Sequence, residues 1–230
     1  MESHKALLLV GSPRGAASVS HSLGNRLLTH LKERGLNTDK AFINTALETP
    51  LKTCQMLEAV AACDLLILAF PLYVDHLPAP VIRVLKMIAE EKSCHYPAKP
   101  QALAAIVNCG FPETIHCQPA ANIVKIFAEQ TGFTFHGCLA MGMGGMVGTG
   151  ERLDANAPLR RQLKALKSAA AALAAGWNLQ ASTLALMGTP PIPKWFYIFM
   201  ANWGWRKPAR QHGAWKRMRD RPYEEKSRTS

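Results

Sequence analysis

The chain reads as an α/β protein, a doubly wound sheet of five parallel strands with helices on both faces. Three observations predict it. Short apolar runs alternate with segments of helical periodicity, the runs are continuous as in strands buried on both faces, and Gly, Pro and Ser punctuate the junctions. Ala6 to Val10 is the first strand, ending at Gly11. From Ser18 to Arg34, Leu23, Leu27, Leu28 and Leu31 recur at helical spacing, with Gly35 where a helix stops. Lys40 to Asn44 is a weak second strand, and Lys52 to Ala62 a helix. Asp64 to Phe70 is a strong third strand, followed by an amphipathic helix from Ala79 to Glu91. Ala102 to Asn108 is the fourth strand, Pro119 to Gln130 a helix, Thr134 to Met141 the fifth strand, and Pro158 to Ala175 the last helix. Beyond Gly176 the pattern dissolves into Pro-rich and aromatic segments, so residues 1–176 are expected to form the sheet domain. Residues 177–230 are expected to form an extension that packs on that domain or on a partner subunit.

Composition excludes several classes. With 48% hydrophobic and 19% charged residues, the chain is neither disordered nor fibrous. Asp64 and Pro71 bound the run from Leu65 to Phe70, and Thr189 to Pro193 interrupts the later apolar segment, so nothing approaches the roughly 20 apolar residues of a membrane helix. The apolar run at the start is shorter than the roughly 7–15 residues of a signal peptide, and it reads as a strand. The six cysteines show no Cys-x-x-Cys pair and fit a reducing, cytoplasmic setting. Cys94-His95 and His116-Cys117 lack the usual zinc-ligand spacing, and no metal is expected. The formal charge of +11 gathers at the end, where Arg206 to Ser230 hold nine Lys or Arg against three acidic residues. A solvated basic face is a plainer reading than a site for nucleic acid, anionic lipid or acidic cofactors.

A doubly wound sheet binds its ligand beyond the carboxyl ends of its strands, so the loops there carry the functional argument. The first, Gly11-Ser-Pro-Arg-Gly15 with Ser18, Ser20 and Ser22, sets hydroxyls, an arginine and backbone N–H groups at the start of a helix, which suits a phosphate. It lacks the Gly-x-Gly-x-x-Gly and Gly-Lys-Ser/Thr spacings of two common nucleotide loops, and an ordinary Ser-capped helix explains it equally well. The second loop, Phe70-Pro-Leu-Tyr-Val-Asp-His-Leu-Pro78, follows the strongest strand and leads directly into a helix. The third is Asn108-Cys-Gly-Phe-Pro-Glu113.

In order and on the right element ends, these three loops resemble those of the NAD(P)H-dependent FMN reductase and quinone reductase families. Pro71-x-Tyr73 with Pro78 looks like their flavin loop, Gly11-Ser-Pro-Arg14 with Ser20-x-x-Leu23 like their phosphate loop, and the third like the turn that meets the flavin ring. The resemblance covers about residues 5–175. It implies a flavodoxin-like fold, FMN as cofactor, NADPH or NADH as co-substrate, and a homodimer. Carried over, Ser12, Arg14, Ser18 and Ser20 hold the FMN phosphate, and Pro71, Leu72, Tyr73, Val74, Asp75 and His76 line the ring and the ribityl chain. Asn108, Gly110 and Phe111 face its pyrimidine side. Val19 departs from the polar residue many relatives carry before the helix, and the loop is longer and richer in Ala. Hydride chemistry belongs to the flavin, so no acid, base or nucleophile is obligatory. Tyr73 and His76 are candidates for proton delivery, with a ring-packing Tyr and a turn-capping His as the plainer roles.

The expected function is an FMN-dependent oxidoreductase that takes hydride from NAD(P)H and passes electrons to a quinone, flavin, nitro or azo acceptor by a ping-pong mechanism. The alternatives are a non-enzymatic FMN electron carrier and a basic binding protein that has lost the flavin. The Gly142 to Gly150 stretch matches no nucleotide motif and is expected to be a mobile loop at the site rim or a dimer interface; Met141, Met143 and Met146 suit adaptable apolar contacts to a partner or substrate and, equally, simple packing. Trp195 to Met200, with Trp203, Trp205, Arg206, Lys207 and Arg210, combines aromatic and basic residues as membrane-interface segments do; packing on protein is the preferred reading, and peripheral membrane contact the other.

Overall fold

In the computed structural model, residues 4–94, 99–147 and 157–221 are described, without the side chains of Cys94 and Ala157. His95, Gly148 to Gly150 and the last nine residues, on which parts of the zinc, Gly-rich and basic-tail readings fell, lie outside them. The chain forms two compact units, Met1–Pro191 and Ile192–Ser230.

The first unit is built on a parallel sheet of five strands in the order β2-β1-β3-β4-β5: β1 Lys5–Val10, β2 Asn37–Phe42, β3 Leu65–Pro71, β4 Gln101–Asn108 and β5 Phe133–Met141. Side chains alternate across β1, β3 and β4. Ala6, Leu8, Val10, Ile67, Ala69 and Ile106 face α1 (Val19–Lys32) and α6 (Arg160–Ala174) in one core cluster. Leu7, Leu9, Leu66, Leu68, Phe70 and Val107 face α3 (Pro50–Ala62), α4 (Ala79–Cys94) and α5 (Gln118–Gln130) in the other. Burial on both faces is why these strands read as unbroken apolar runs. Each fully buried Leu or Ile side chain contributes about 1.5–3 kcal/mol of transfer free energy.

The start of α1 follows from its sequence: Ser18 is the N-cap, its Oγ accepting from His21 N at 3.1 Å. In α3, Thr49 is the N-cap and Pro50 fills the first turn, so the helix begins two residues before the expected Lys52. The second strand lies at 37–42 rather than 40–44. It is an edge strand of mostly polar residues, and Ile43, the most apolar residue of the segment, opens the one-turn α2 (Ile43–Ala46) instead. The first unit continues past Gly176: Leu179 N donates to His136 O at 2.7 Å, and α7 (Ala181–Gly188) buries Met187 in the same cluster as α6. In the second unit, α8 (Lys194–Gln211) has no buried residue. No helix among the described residues is long and apolar enough to cross a membrane.

Candidate functional site at the carboxyl edge of the sheet

The order of the strands reverses between β1 and β3, and that is where the expected loops emerge. Val10 is in register with Ala69, and Pro71 with Asn108, so the ends of β1, β3 and β4 lie side by side. Gly11 N donates to Ala69 O at 2.8 Å, and a side chain at Gly11 would run into Val81 of α4. The close approach of the first loop to α4 therefore requires glycine.

In the first loop, Ser12, Ser18 and Ser20 are buried, and each hydroxyl has a protein partner. Arg14 N donates to Ser12 Oγ at 3.3 Å, Ser18 Oγ donates to Gly15 O at 2.6 Å, and Ser20 Oγ donates to Asn108 Oδ1 at 2.7 Å. Gly15 has φ +52°, a left-handed turn with open space around its α-carbon, and Arg14 is exposed. The serines shape the loop from beneath. Arg14 is the exposed charged group of the loop, and a guanidinium beside a helix N-terminus suits a dianionic phosphate.

The second loop is a tight hairpin. Tyr73 and His76 exchange two backbone hydrogen bonds of 3.0 Å, and Val74 and Asp75 between them have φ +48° and +58°, the signs of a type I′ turn. A β-branched residue rarely takes that conformation, and Val74 takes it while 97% exposed. Strain of roughly 1–2 kcal/mol is held there with no core contact in return. Tyr73 is 46% exposed, and His76 Nδ1 lies 3.4 Å from Leu77 O.

The third loop joins the other two through Asn108, which is buried. Its side chain accepts from Ser20, and its carbonyl accepts from Leu72 N at 2.8 Å. Phe111 is half exposed, its ring tilted against His116 at 4.5 Å, and His116 Nδ1 stands 3.4 Å from Asp75 Oδ1, which ties the second loop to the third. The segment after β5 supports all of this: Cys109 N donates to Met141 O at 2.9 Å, Met143 N to Phe111 O at 2.8 Å, and Gly144 N to Cys109 O at 2.8 Å. Side chains at Gly142 and Gly144 would press on the carbonyls of Pro112 and Cys109. Met141 and Met143 are buried, in keeping with packing, and Met143 sits in the left-handed region to deliver its amide.

Two groupings in this region escaped the sequence reading. The Asp75–His116 contact joins residues 41 apart, and Cys109, whose thiol donates to Phe111 O at 3.6 Å and Glu113 O at 3.7 Å, lies eight residues before a second buried cysteine, Cys117. The influence of Cys117, with the Phe111 backbone and His116, lowers Cys109 to about 7 against burial and the Asp75 charge, while Cys109 and burial raise Cys117 far above the ordinary thiol range. A spacing of eight residues resembles no recognised thiol motif. The nearest signal was Cys117 closing a short turn ahead of α5. A separate cavity of about 470 Å³, lined by Leu57, Val60, Ile88 and Lys92 among others, opens at the amino end of the sheet, away from the switch point.

A parallel sheet in this order with helices on both faces and its loops gathered at the β1/β3 switch point is a flavodoxin-like fold. Solved structures that share it include an NADH:FMN oxidoreductase in its apo form (TM-score 0.55, 14% identity, 79% of this chain and 94% of that one). A second is the FMN-dependent NADH-azoreductase from Bacillus anthracis in complex with FMN (TM-score 0.51, 15% identity, 74% and 99%). A third is the rubredoxin oxygen:oxidoreductase of Desulfovibrio gigas (TM-score 0.52, 11% identity), where the match covers 80% of this chain but only 37% of that one. No family model and no curated protein sequence matches the chain.

Proposed function

We propose that the chain is an FMN-dependent oxidoreductase that draws reducing equivalents from NADPH or NADH and delivers them to a small quinone, flavin, nitro or azo acceptor. The observation that carries this reading is the convergence of three loops on Asn108 at the switch point, because that arrangement sets a helix start with Arg14 and two tight turns on one edge of the sheet. When bound, FMN supplies the hydride and electron chemistry.

The protein's own residues then have defined tasks. Arg14 and the amides opening α1 hold the phosphate, with Ser12, Ser18 and Ser20 fixing the loop that presents them. The hairpin from Pro71 to His76 lies along the ring and the ribityl chain, with Tyr73 and Val74 offering apolar surface and His76 a position from which to move a proton. Gly110 and Phe111 face the pyrimidine side, and Asn108, buried beneath them, fixes the turn that carries them. Two named neighbours with this fold, an NADH:FMN oxidoreductase and an FMN-dependent NADH-azoreductase, support the choice of cofactor and reductant. The same reading includes a homodimer and a cytoplasmic setting; the five cysteines with described side chains are all free thiols, in keeping with the latter.

The test is an absorbance spectrum of the purified protein after incubation with FMN and removal of the excess, repeated after anaerobic NADPH and, separately, NADH. Retained yellow flavin that bleaches with either nucleotide is the expected result. Flavin that is retained but reduced by neither makes the protein an electron carrier, and no retained flavin overturns the cofactor assignment.

A further inference from the structure

The second unit carries a large apolar surface and dense positive charge, and the site described above uses neither. Helix α8 has no buried residue, and Trp195, Ile198, Phe199, Met200, Trp203 and Trp205 are each at least half exposed. From Lys194 to Arg221 the chain holds eight Lys or Arg and a single acidic residue, Asp220, which Arg217 Nε engages at 2.9 Å. The two kinds of side chain are segregated along the helix axis. The turns from Trp195 to Trp205 are mostly aromatic or aliphatic, with Lys194 ahead of them and Arg206, Lys207 and Arg210 behind. A helix with apolar side chains around its circumference is stable when protein or lipid surrounds it.

We propose that α8 docks on an anionic phospholipid surface, lying along the headgroup layer with its aromatic turns at the polar–apolar boundary and its cations against the phosphates. Indole and phenol rings favour that boundary, because it accommodates an apolar ring and a polar N–H or O–H together. Cations at both ends of the aromatic turns suit a helix in the plane of the surface, where both ends meet phosphate. Those turns are roughly 16 Å long, about half the thickness of a hydrocarbon core, so the helix docks and does not cross. The cationic end has a defined geometry. The Arg206 guanidinium lies 5.6 Å from the Trp203 ring and 5.7 Å from the Trp215 ring, and that of Arg210 lies 4.7 Å from the Trp215 ring. Trp203, Arg206, Lys207, Arg210 and Gln211 line a cleft of about 320 Å³, and three cations without a carboxylate among them match a headgroup phosphate.

Charge and surface chemistry select lipid over the other occupants. A two-fold contact between copies sets each patch against its own equivalent, which here brings like charge onto like charge. Single-stranded nucleic acid matches the charge and can stack on the indoles, but it offers nothing to the aliphatic surface of Ile198 and Met200 in the same turns. An anionic bilayer takes both kinds of surface. The docking does not depend on the flavin, because no residue of α8 is assigned to that site.

The full chain is mixed with vesicles of phosphatidylcholine alone or of phosphatidylcholine with phosphatidylglycerol, and the pelleted fraction and the tryptophan emission are measured. Binding about tenfold stronger to the anionic vesicles, emission moved to shorter wavelength, and weakening as salt is raised are expected. Arg206→Gln, Lys207→Gln and Arg210→Gln together should remove most of that preference. Lys52→Gln, Lys86→Gln and Lys125→Gln together take the same charge from exposed positions of the first unit and should leave it intact. Equal loss in the two triple variants makes the attraction one of net charge and overturns the assignment to α8. Trp195→Ala with Phe199→Ala should abolish the emission shift. In the unsubstituted chain, equal binding to both kinds of vesicle, or binding to neither, overturns the proposal. A concentration-dependent dimer that Trp195→Ala with Phe199→Ala dissolves assigns the surface to a second copy, and an oligonucleotide complex that anionic vesicles do not displace assigns it to nucleic acid; either result overturns lipid docking.

Discussion

The two compact units of the chain are both rich in large apolar side chains and use them in opposite ways. In the first, Leu7, Leu8, Leu9, Ile67 and Leu68 are fully buried, because strands that alternate faces are covered by helices whose apolar residues form a stripe. In the second, Trp195, Phe199, Trp203 and Trp205 of α8 are each more than half exposed. Their local order comes from one another and from cations: Phe199 and Trp203 rings are 6.2 Å apart, and the Arg210 guanidinium lies 4.7 Å from the Trp215 ring. Such exposed cation–ring contacts are worth about 0.5–1 kcal/mol each. Apolar content does not make a core; periodicity matched to a partner surface does.

That difference sets the largest expected effect. Ile67→Ala should cost about 4 kcal/mol in urea unfolding, since it opens a cavity between the sheet and α1 that the close packing cannot fill. Trp203→Ala should change the same measurement by less than about 1 kcal/mol. A loss at Trp203 comparable with that at Ile67 would break the comparison and show that the α8 aromatics are buried against protein in solution.

Legibility in the sequence follows the same division. The doubly buried strands announced themselves as apolar runs, and α1, α4 and α5 as stripes, so the sheet was readable nearly residue by residue. The edge strand β2 was displaced because NTDKAF has no apolar run to mark it. Helices α7 and α8 were missed for a different reason: α7 is short and nearly uniformly apolar, and α8 carries aromatics around its whole circumference, leaving no stripe to detect. At the site, the loops were legible through Pro, Gly and Tyr at strand ends. The pairings that assemble them were not, since Ser20 meets Asn108 across 88 residues and nothing local specifies it.

Asn108 tests that assembly. Asn108→Ala leaves the Ser20 hydroxyl buried without its acceptor, which should cost about 2 kcal/mol and loosen the first and third loops together. If the loops hold the phosphate and the ring as proposed, FMN affinity should fall as well, and a Ser20→Ala, Asn108→Ala double variant should lose less stability than the sum of the single ones. Full additivity would mean that the two loops are independent. A smaller effect of opposite sign is expected at the hairpin, where Val74→Asn should stabilise the fold by about 1 kcal/mol, because Asn accepts the left-handed backbone. Stability gained together with weaker FMN binding would show that the strained, exposed valine is kept for contact with the cofactor. An unchanged affinity would remove Val74 from the site.

The smallest effect lies at the opposite end of the same strands. Asp64, just before β3, accepts from Lys5 N at 2.6 Å and from Lys99 Nζ at 2.9 Å, which ties the starts of β1 and β3 to the segment leading into β4. Desolvation pulls its carboxyl up, but the Lys5 N–H, the Lys99 ammonium and His4 together outweigh it and hold the group below the usual Asp value. A carboxylate with a depressed folded value stabilises the protein above its unfolded value near 3.8, and that contribution is lost as pH falls through the lower, folded one. The carboxyl is partly exposed, so solvent screening limits the Lys99 pair to about 0.5 kcal/mol. Asp64→Asn should therefore lower stability slightly at pH 7 and flatten the decline of unfolding free energy between roughly pH 5 and pH 2. FMN binding should not change in that variant, because every residue assigned to the flavin lies at the carboxyl ends of the strands. Weaker binding in Asp64→Asn would mean that the two ends of the sheet are coupled and that the site is not confined to its loops.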